Sequence, residues 1–140
     1  MPAVREEIMD VRSDEDVMRV RQVTRQWAID LGFSLIDQTK IVTAASELAR
    51  NALIYGGGGI TRFEALHEGA RRGLRLTFED KGPGIPDVAQ ALRDGFTSGS
   101  GLGLGLGGAR RLSNEFDIVS APGQGTTVRA SVPIFEEVFA

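Results

Sequence analysis

The sequence predicts an α+β fold, a two-layer α/β sandwich whose mixed, mainly antiparallel sheet carries helices on one face. Three observations lead there. Helical periodicity and strand alternation occupy separate blocks, with no repeating strand-helix unit. Two strand-like runs are joined by a short polar link, as in a hairpin. The 140 residues, 41% hydrophobic and 25% charged, suit one domain over residues 1–140 with a core that needs no staple.

Glu7 to Val11 reads as a short strand. Ser13 follows as a helix N-cap, with Asp14, Glu15 and Asp16 acidic in the first turn. Val17, Val20, Trp27, Ala28 and Leu31 recur at helical spacing up to Gly32, a left-handed stop. A second helix is expected from about Ile36 to Tyr55, with Ile41, Ala44, Ala45, Leu48, Ala52 and Tyr55 on one stripe. The glycines from Gly56 to Gly59 end it and read as a flexible turn. Strands are predicted over Ile60–Leu66 and Leu74–Glu79, across the polar link Glu68–Gly73. Asp80–Pro86 is a loop and Asp87–Asp94 a short helix. Gly95–Gly108, with seven glycines in fourteen residues, reads as no packed element at all. A helix start at Ala109–Asn114, a strand at Phe116–Ser120, a turn at Pro122–Gly125 and a longer strand at Thr126–Phe135 complete the chain.

Composition narrows the function. With 16 Lys and Arg against 19 Asp and Glu, the net charge of −3 supplies no broad field for nucleic acid or anionic lipid, so neither is expected as a partner. No run of about 18 apolar residues occurs and the N-terminus lacks the apolar segment of a signal peptide, so a cytoplasmic protein away from the membrane is expected. The absence of Cys and the single His67 exclude the usual zinc constellations and a Cys nucleophile. His67 itself, at a predicted strand end, reads as a structural or surface residue.

Four segments carry chemistry. Glu47 and Asn51, four residues apart on the second helix, emerge from one face, where a carboxylate and an amide can share base and metal-ligand roles. By themselves such residues are most simply solvated. Arg50 beside them reads as a surface cation. Asp80, in the loop Asp80-Lys81-Gly82-Pro83-Gly84-Ile85-Pro86, stands where a strand opens towards a pocket and can accept from an exocyclic amine; its local alternative is an ordinary turn. The Gly95–Gly108 run lets backbone approach a polyphosphate and present N–H groups to it. Within it Gly103, Gly105 and Gly108 spell G-x-G-x-x-G, but no strand immediately precedes them and no alternating strand-helix series surrounds them. No Gly-Lys-Ser/Thr run and no V-A-I-K, H-R-D or D-F-G set occurs, which excludes a P-loop and a eukaryotic-type kinase fold. Gly123-Gln124-Gly125-Thr126-Thr127 makes a tight turn into the last strand.

The order of these segments resembles a known family. Glu47-Leu48-Ala49-Arg50-Asn51-Ala52, Asp80-x-Gly82-x-Gly84, the Gly99–Gly108 run and Gly123-x-Gly125-Thr126 resemble the N, G1, G2 and G3 boxes of the GHKL ATPase superfamily, over about residues 36–130. That superfamily includes histidine-kinase catalytic domains, Hsp90, gyrase B and MutL. Ser46–Asn51, Glu79–Asp87, Asp94-Gly95-Phe96 and Arg110-Arg111-Leu112 followed by Glu115-Phe116 narrow the resemblance to RsbT-type switch serine kinases. The lid, Gly-Ser-Gly-Leu-Gly-Leu-Gly-Leu-Gly-Gly, is closer to the histidine-kinase G-x-G-L-G-L run.

The resemblance implies a Bergerat ATP-binding fold with ATP and Mg²⁺ as cofactors. Asn51 would hold the metal, Asp80 would read the adenine amine, and Gly82, Gly84 and Thr126 would line the nucleotide. Gly99, Gly101, Leu102, Gly103, Leu104 and Gly105 would wrap the phosphates, with Glu47 the catalytic base. It further implies phosphorylation of a serine on a STAS-domain antagonist of stressosome type, followed by binding and activation of a PP2C-type phosphatase. Two other readings stay open. One is a nucleotide-gated anti-sigma binding module, which would not need Glu47 as a base. The other is a detached histidine-kinase catalytic domain, which would need a phosphoacceptor helix that this chain does not contain.

Overall fold

A computed structural model describes residues 3–69, 71–92 and 104–134. In chain order the elements are β1 (Ala3–Val11), α1 (Asp14–Asp30), α2 (Leu35–Ile54), β2 (Gly59–Glu68), β3 (Arg71–Asp80), α3 (Val88–Ala91), α4 (Leu104–Leu112), β4 (Glu115–Ser120) and β5 (Thr126–Ile134). The strands form one sheet of order β1-β2-β3-β5-β4, and every pairing is antiparallel, in keeping with the mainly antiparallel sheet expected from the sequence. On one face α2 lies centrally, with α1 on one side and α4 on the other.

The helix ends follow from local chemistry. The Ser13 hydroxyl accepts the Asp16 N–H at 3.2 Å and the Asp16 carboxylate accepts the Arg12 N–H at 2.9 Å, so two donors at the head of α1 are satisfied reciprocally. Gly32 stops α1 at φ +83°. Ser34 repeats the device for α2, accepting the Asp37 N–H at 3.1 Å.

Period-two alternation places Phe63, Leu74, Leu76, Phe78, Val128, Ala130 and Val132 against the helices, in the buried core. The opposite face is polar. There Arg62 pairs with Glu6 at 3.1 Å, and Arg75 donates two bonds of 3.1 Å to Glu64 across the β2-β3 ladder. β1 begins at Ala3, four residues before the predicted start, because the charged run Arg5-Glu6-Glu7 masks its alternation. The Arg5 guanidinium lies 4.0 Å from the centroid of the Trp27 ring, and Glu7 accepts the indole N–H at 3.0 Å. Trp27 itself stacks on Phe63 with centroids 5.8 Å apart, which ties α1 to the sheet.

The short helix expected over Asp87–Asp94 is found as α3, Val88–Ala91, capped by Asp87, whose carboxylate accepts the Gln90 N–H at 3.0 Å; Arg93 and Asp94 lie outside the described residues. α4 begins at Leu104, five residues before the expected start at Ala109 and within the run read as unpacked. Leu106 and Ala109 are buried and Leu112 packs against the core, so every third residue of α4 reaches it. A Gly inside a helix costs about 1 kcal/mol relative to Ala, whereas burying a Leu side chain contributes about 1.5–3 kcal/mol. Tertiary burial therefore overrides propensity.

Gly108 isolates that cost. It is helical, and a Cβ built on it meets nothing within 4 Å. Gly108→Ala should therefore raise stability by about 0.5–1 kcal/mol, visible as a higher Tm in thermal unfolding. A fall in Tm would show that α4 is not a helix there.

Candidate functional site

The helix-facing side of the sheet and the C-terminal half of α2 enclose a cavity of about 360 Å³. Its apolar walls come from Leu48 and Ala52 of α2, Phe78 of β3, Val128 of β5, Ala91 of α3 and Leu106 of α4. Its polar lining residues are Asn51, Tyr55, Asp80, Asp87, Gln90 and Thr126. An apolar slot with a few convergent polar groups is the usual build of a small-molecule site.

Asp80, the last residue of β3, is the electrostatic centre. Its carboxylate accepts the Gly82 N–H at 2.9 Å and also the Thr126 N–H from the paired strand. Burial pushes its pKa above the ordinary carboxylate value, and the two N–H donors oppose that rise. With two of about four lone-pair sites used, an acceptor remains for a ligand N–H.

Glycine makes this placement possible. A Cβ on Gly56 would overlap the Asp80 side chain, one on Gly59 the Glu79 carbonyl, and one on Gly125 the Asp80 carbonyl. Gly57 and Gly58 have φ of +71° and +106°. In the four-glycine segment after α2, Gly56 and Gly59 are thus tightly fitted, while Gly57 has open space around it. Further round the rim the Gly123 N–H donates to the Pro83 carbonyl at 2.7 Å and the Ile85 N–H to the Ser120 hydroxyl at 2.8 Å. These bonds lock the loop after β3 to the turn before β5.

Of the residues singled out in the sequence, Asn51, Asp80, Gly84 and Thr126 meet at the cavity, and Gly82 supports Asp80 through its N–H. Glu47 is half-buried, one turn before Asn51 on α2, and is not among the lining residues. Leu104 and Gly105 form the first turn of α4. Gly99, Gly101, Leu102 and Gly103 lie outside the described residues. Tyr55 and Leu106 are cavity residues not expected as such. Tyr55 sits four residues after Asn51, so helical spacing alone would have found it, whereas Leu106 was hidden among glycines. Among the described residues no group of three His, Asp or Glu side chains could hold a metal ion. The Asn51 amide oxygen is a hard donor of the kind Mg²⁺ accepts when phosphates and waters complete its shell.

Asp80→Asn should raise the stability of the ligand-free protein at neutral pH. Because the folded pKa is raised, the ionised carboxylate costs stability above that pKa, and the cost fades as pH falls towards the unfolded value of 3.8. The gain in Tm should therefore shrink with acidification. A gain that grows in acid would reverse the sign assigned to Asp80.

Comparison with known proteins agrees with this geometry. The profile of the histidine kinase-, DNA gyrase B- and HSP90-like ATPase family matches residues 36–136. The chain is 42% identical over 120 residues to the serine/threonine-protein kinase RsbT of Bacillus subtilis (strain 168), covering 86% of this chain and 90% of that protein. It is 30% identical over 115 residues to an anti-sigma F factor of Thermoanaerobacter sp. (strain X514), covering 78% of this chain and 79% of that one. Among solved structures, the RsbU and RsbW domains of Rv1364c from Mycobacterium tuberculosis superpose with a TM-score of 0.64 at 21% identity, over 92% of this chain and 32% of that longer one. The mycobacterial sensor histidine kinase MprB superposes at 0.56 and 20% identity, over 92% and 97%. Both share the fold. The chain therefore belongs to the histidine kinase-, DNA gyrase B- and HSP90-like ATPase family, as an enzyme of its protein serine/threonine kinase branch.

Proposed function

We propose that this protein transfers the γ-phosphoryl group of ATP to a serine of a STAS-domain partner and acts as a partner switch in the cytoplasm. The observation that carries this reading is the desolvated Asp80 acceptor in an apolar cavity, with Asn51 and Thr126 also lining it. The adenine ring fills the slot lined by Phe78, Val128 and Leu106, and its exocyclic amine donates to Asp80. The Asn51 amide oxygen would hold Mg²⁺, which neutralises phosphate charge when bound. Glu47 accepts the proton of the attacking serine hydroxyl as the new Oγ–P bond forms and ADP leaves. The glycine-rich segment before α4 supplies backbone N–H groups to the phosphates. Release from the phosphorylated partner then frees the kinase to bind and activate a PP2C-type phosphatase.

A second reading, a nucleotide-gated anti-sigma module, is favoured by the 30% identity to an anti-sigma F factor. Glu47 discriminates the two. Glu47→Ala keeps the helix, since Ala has the best helix propensity, and should leave ATP and partner binding intact. Phosphotransfer from labelled ATP to a STAS-domain protein should fall at least about a hundredfold, with an acid-stable phosphoserine as the wild-type product. Near-wild-type transfer in the variant, or tight binding to a sigma factor with no STAS protein phosphorylated, overturns the kinase reading.

Two binding measurements test the cofactor roles. Asp80→Asn replaces an acceptor by an amide whose NH₂ can face the adenine amine, so calorimetric ATP affinity should drop. Asn51→Ala should remove the Mg²⁺ dependence of ATP binding. Equal enhancement by Mg²⁺ in both proteins would remove Asn51 from the metal.

A further inference from the structure

The loop between β3 and α3 carries a carboxylate at each end, and both line the cavity. Asp80 begins it on the sheet, half-buried. Asp87 ends it at the exposed rim, as the N-cap of α3. The bonds from the Gly123 N–H to the Pro83 carbonyl and from the Ile85 N–H to the Ser120 hydroxyl hold the loop between these two ends. Gln90, three residues on, is exposed at the same rim and also lines the cavity.

The chemistry of this rim pair selects what it can meet. One oxygen of Asp87 accepts the Gln90 N–H at 3.0 Å, which orients the carboxylate and leaves lone pairs for a ligand donor. A carboxylate repels phosphate oxygens, so Asp87 is matched to a neutral donor rather than to the triphosphate. Once the adenine amine has gone to Asp80, the donors left on ATP are the two ribose hydroxyls. A carboxylate is a proven acceptor for a ribose hydroxyl in nucleotide sites, and an amide beside it suits the second, because each hydroxyl both donates and accepts. With the ring in the apolar slot of Phe78, Val128 and Leu106, the sugar is the part left for a polar, solvent-facing rim.

We propose that Asp87 and Gln90 read the ribose of the nucleotide, the carboxylate accepting from one of the vicinal hydroxyls and the amide pairing with the other. The proposal rests on the nucleotide reading of the cavity and adds to it two specificity-determining residues on α3 and its cap. They govern the sugar alone and leave the amine to Asp80. Their loss therefore has a signature that general loosening of the rim does not.

Three nucleotides separate the two ends of the site in calorimetric titrations: ATP, 2′,3′-dideoxy-ATP, which lacks both hydroxyls, and purine riboside triphosphate, which lacks the amine. The wild-type protein should bind ATP at least about tenfold more tightly than dideoxy-ATP, since hydrogen bonds to a charged group are among the stronger ones. Asp87→Ser keeps a capping oxygen for α3 but withdraws the carboxylate, and should cut that preference to within about threefold. Adding Gln90→Ala should bring it to near unity. The preference for ATP over purine riboside triphosphate, set by Asp80, should stay within about twofold of wild type in both variants. If Asp87→Ser does not fold, Gln90→Ala alone should still lower the ATP to dideoxy-ATP preference by about threefold. Equal binding of ATP and dideoxy-ATP by the wild-type protein, or variants that weaken both by the same factor, overturn the ribose assignment and leave the nucleotide site standing. Failure of the wild-type protein to bind ATP overturns the nucleotide reading itself.

Discussion

Backbone approaches Asp80 so closely that two separate chain segments must be glycine where they meet it, and a third where it meets one of those two. Gly56 leaves α2, Gly82 leaves β3 and Gly125 enters β5, and a Cβ on Gly56 or Gly125 would overlap Asp80 itself. A Cβ on Gly82 would lie 2.6 Å from the Gly56 Cα, so two loops distant in sequence touch backbone to backbone. Partial burial in this corner raises the pKa of the Asp80 carboxylate, which lines the cavity. The fold's element order is thereby converted into chemistry. Without that closeness Asp80 would be an ordinary solvated turn residue.

The rest of the domain keeps this corner rigid. Trp27, stacked on Phe63 and hydrogen-bonded to Glu7, fixes α1 against β1 and β2, and α1 in turn braces α2. α2 then presents Asn51 and Tyr55 towards the cavity and carries Glu47 one turn earlier. On the far side of the sheet the Arg75–Glu64 and Arg62–Glu6 pairs line up across strands. The more exposed Arg62–Glu6 pair contributes about 0–1 kcal/mol, whereas Glu64 is buried and its carboxylate is satisfied by the two-pronged bond from Arg75.

α4 shows how the site's second wall is made from unpromising sequence. Three of its nine residues are glycine, and without partners so short a helix would not persist. It holds because Leu106, Ala109 and Leu112 pack at helical spacing, and Leu106 also forms part of the cavity wall. Lining and folding are one act there.

Much was legible from sequence alone because its causes are local. The Ser13 cap, the Gly32 stop and the α1 and α2 helices each depend on residues within a few positions of one another and stand where the pattern put them. The β2-β3 hairpin forms with strands running to Glu68 and from Arg71, through most of the link expected over Glu68–Gly73. The spacing of Glu47 and Asn51 and the position of Asp80 where a strand ends likewise needed no tertiary knowledge. Other features were decided only in three dimensions. The extension of β1 to Ala3 depends on Trp27 receiving Arg5 and Glu7, and the helix at Leu104 depends on α2 offering a surface for Leu106. The close fit at Gly56 and Gly59 depends on Glu79 and Asp80, which arrive from a strand about twenty residues later. Glycine permits many conformations, so its local sequence says only that the chain can bend; which bend it takes is settled by the long-range neighbours that leave room for nothing larger.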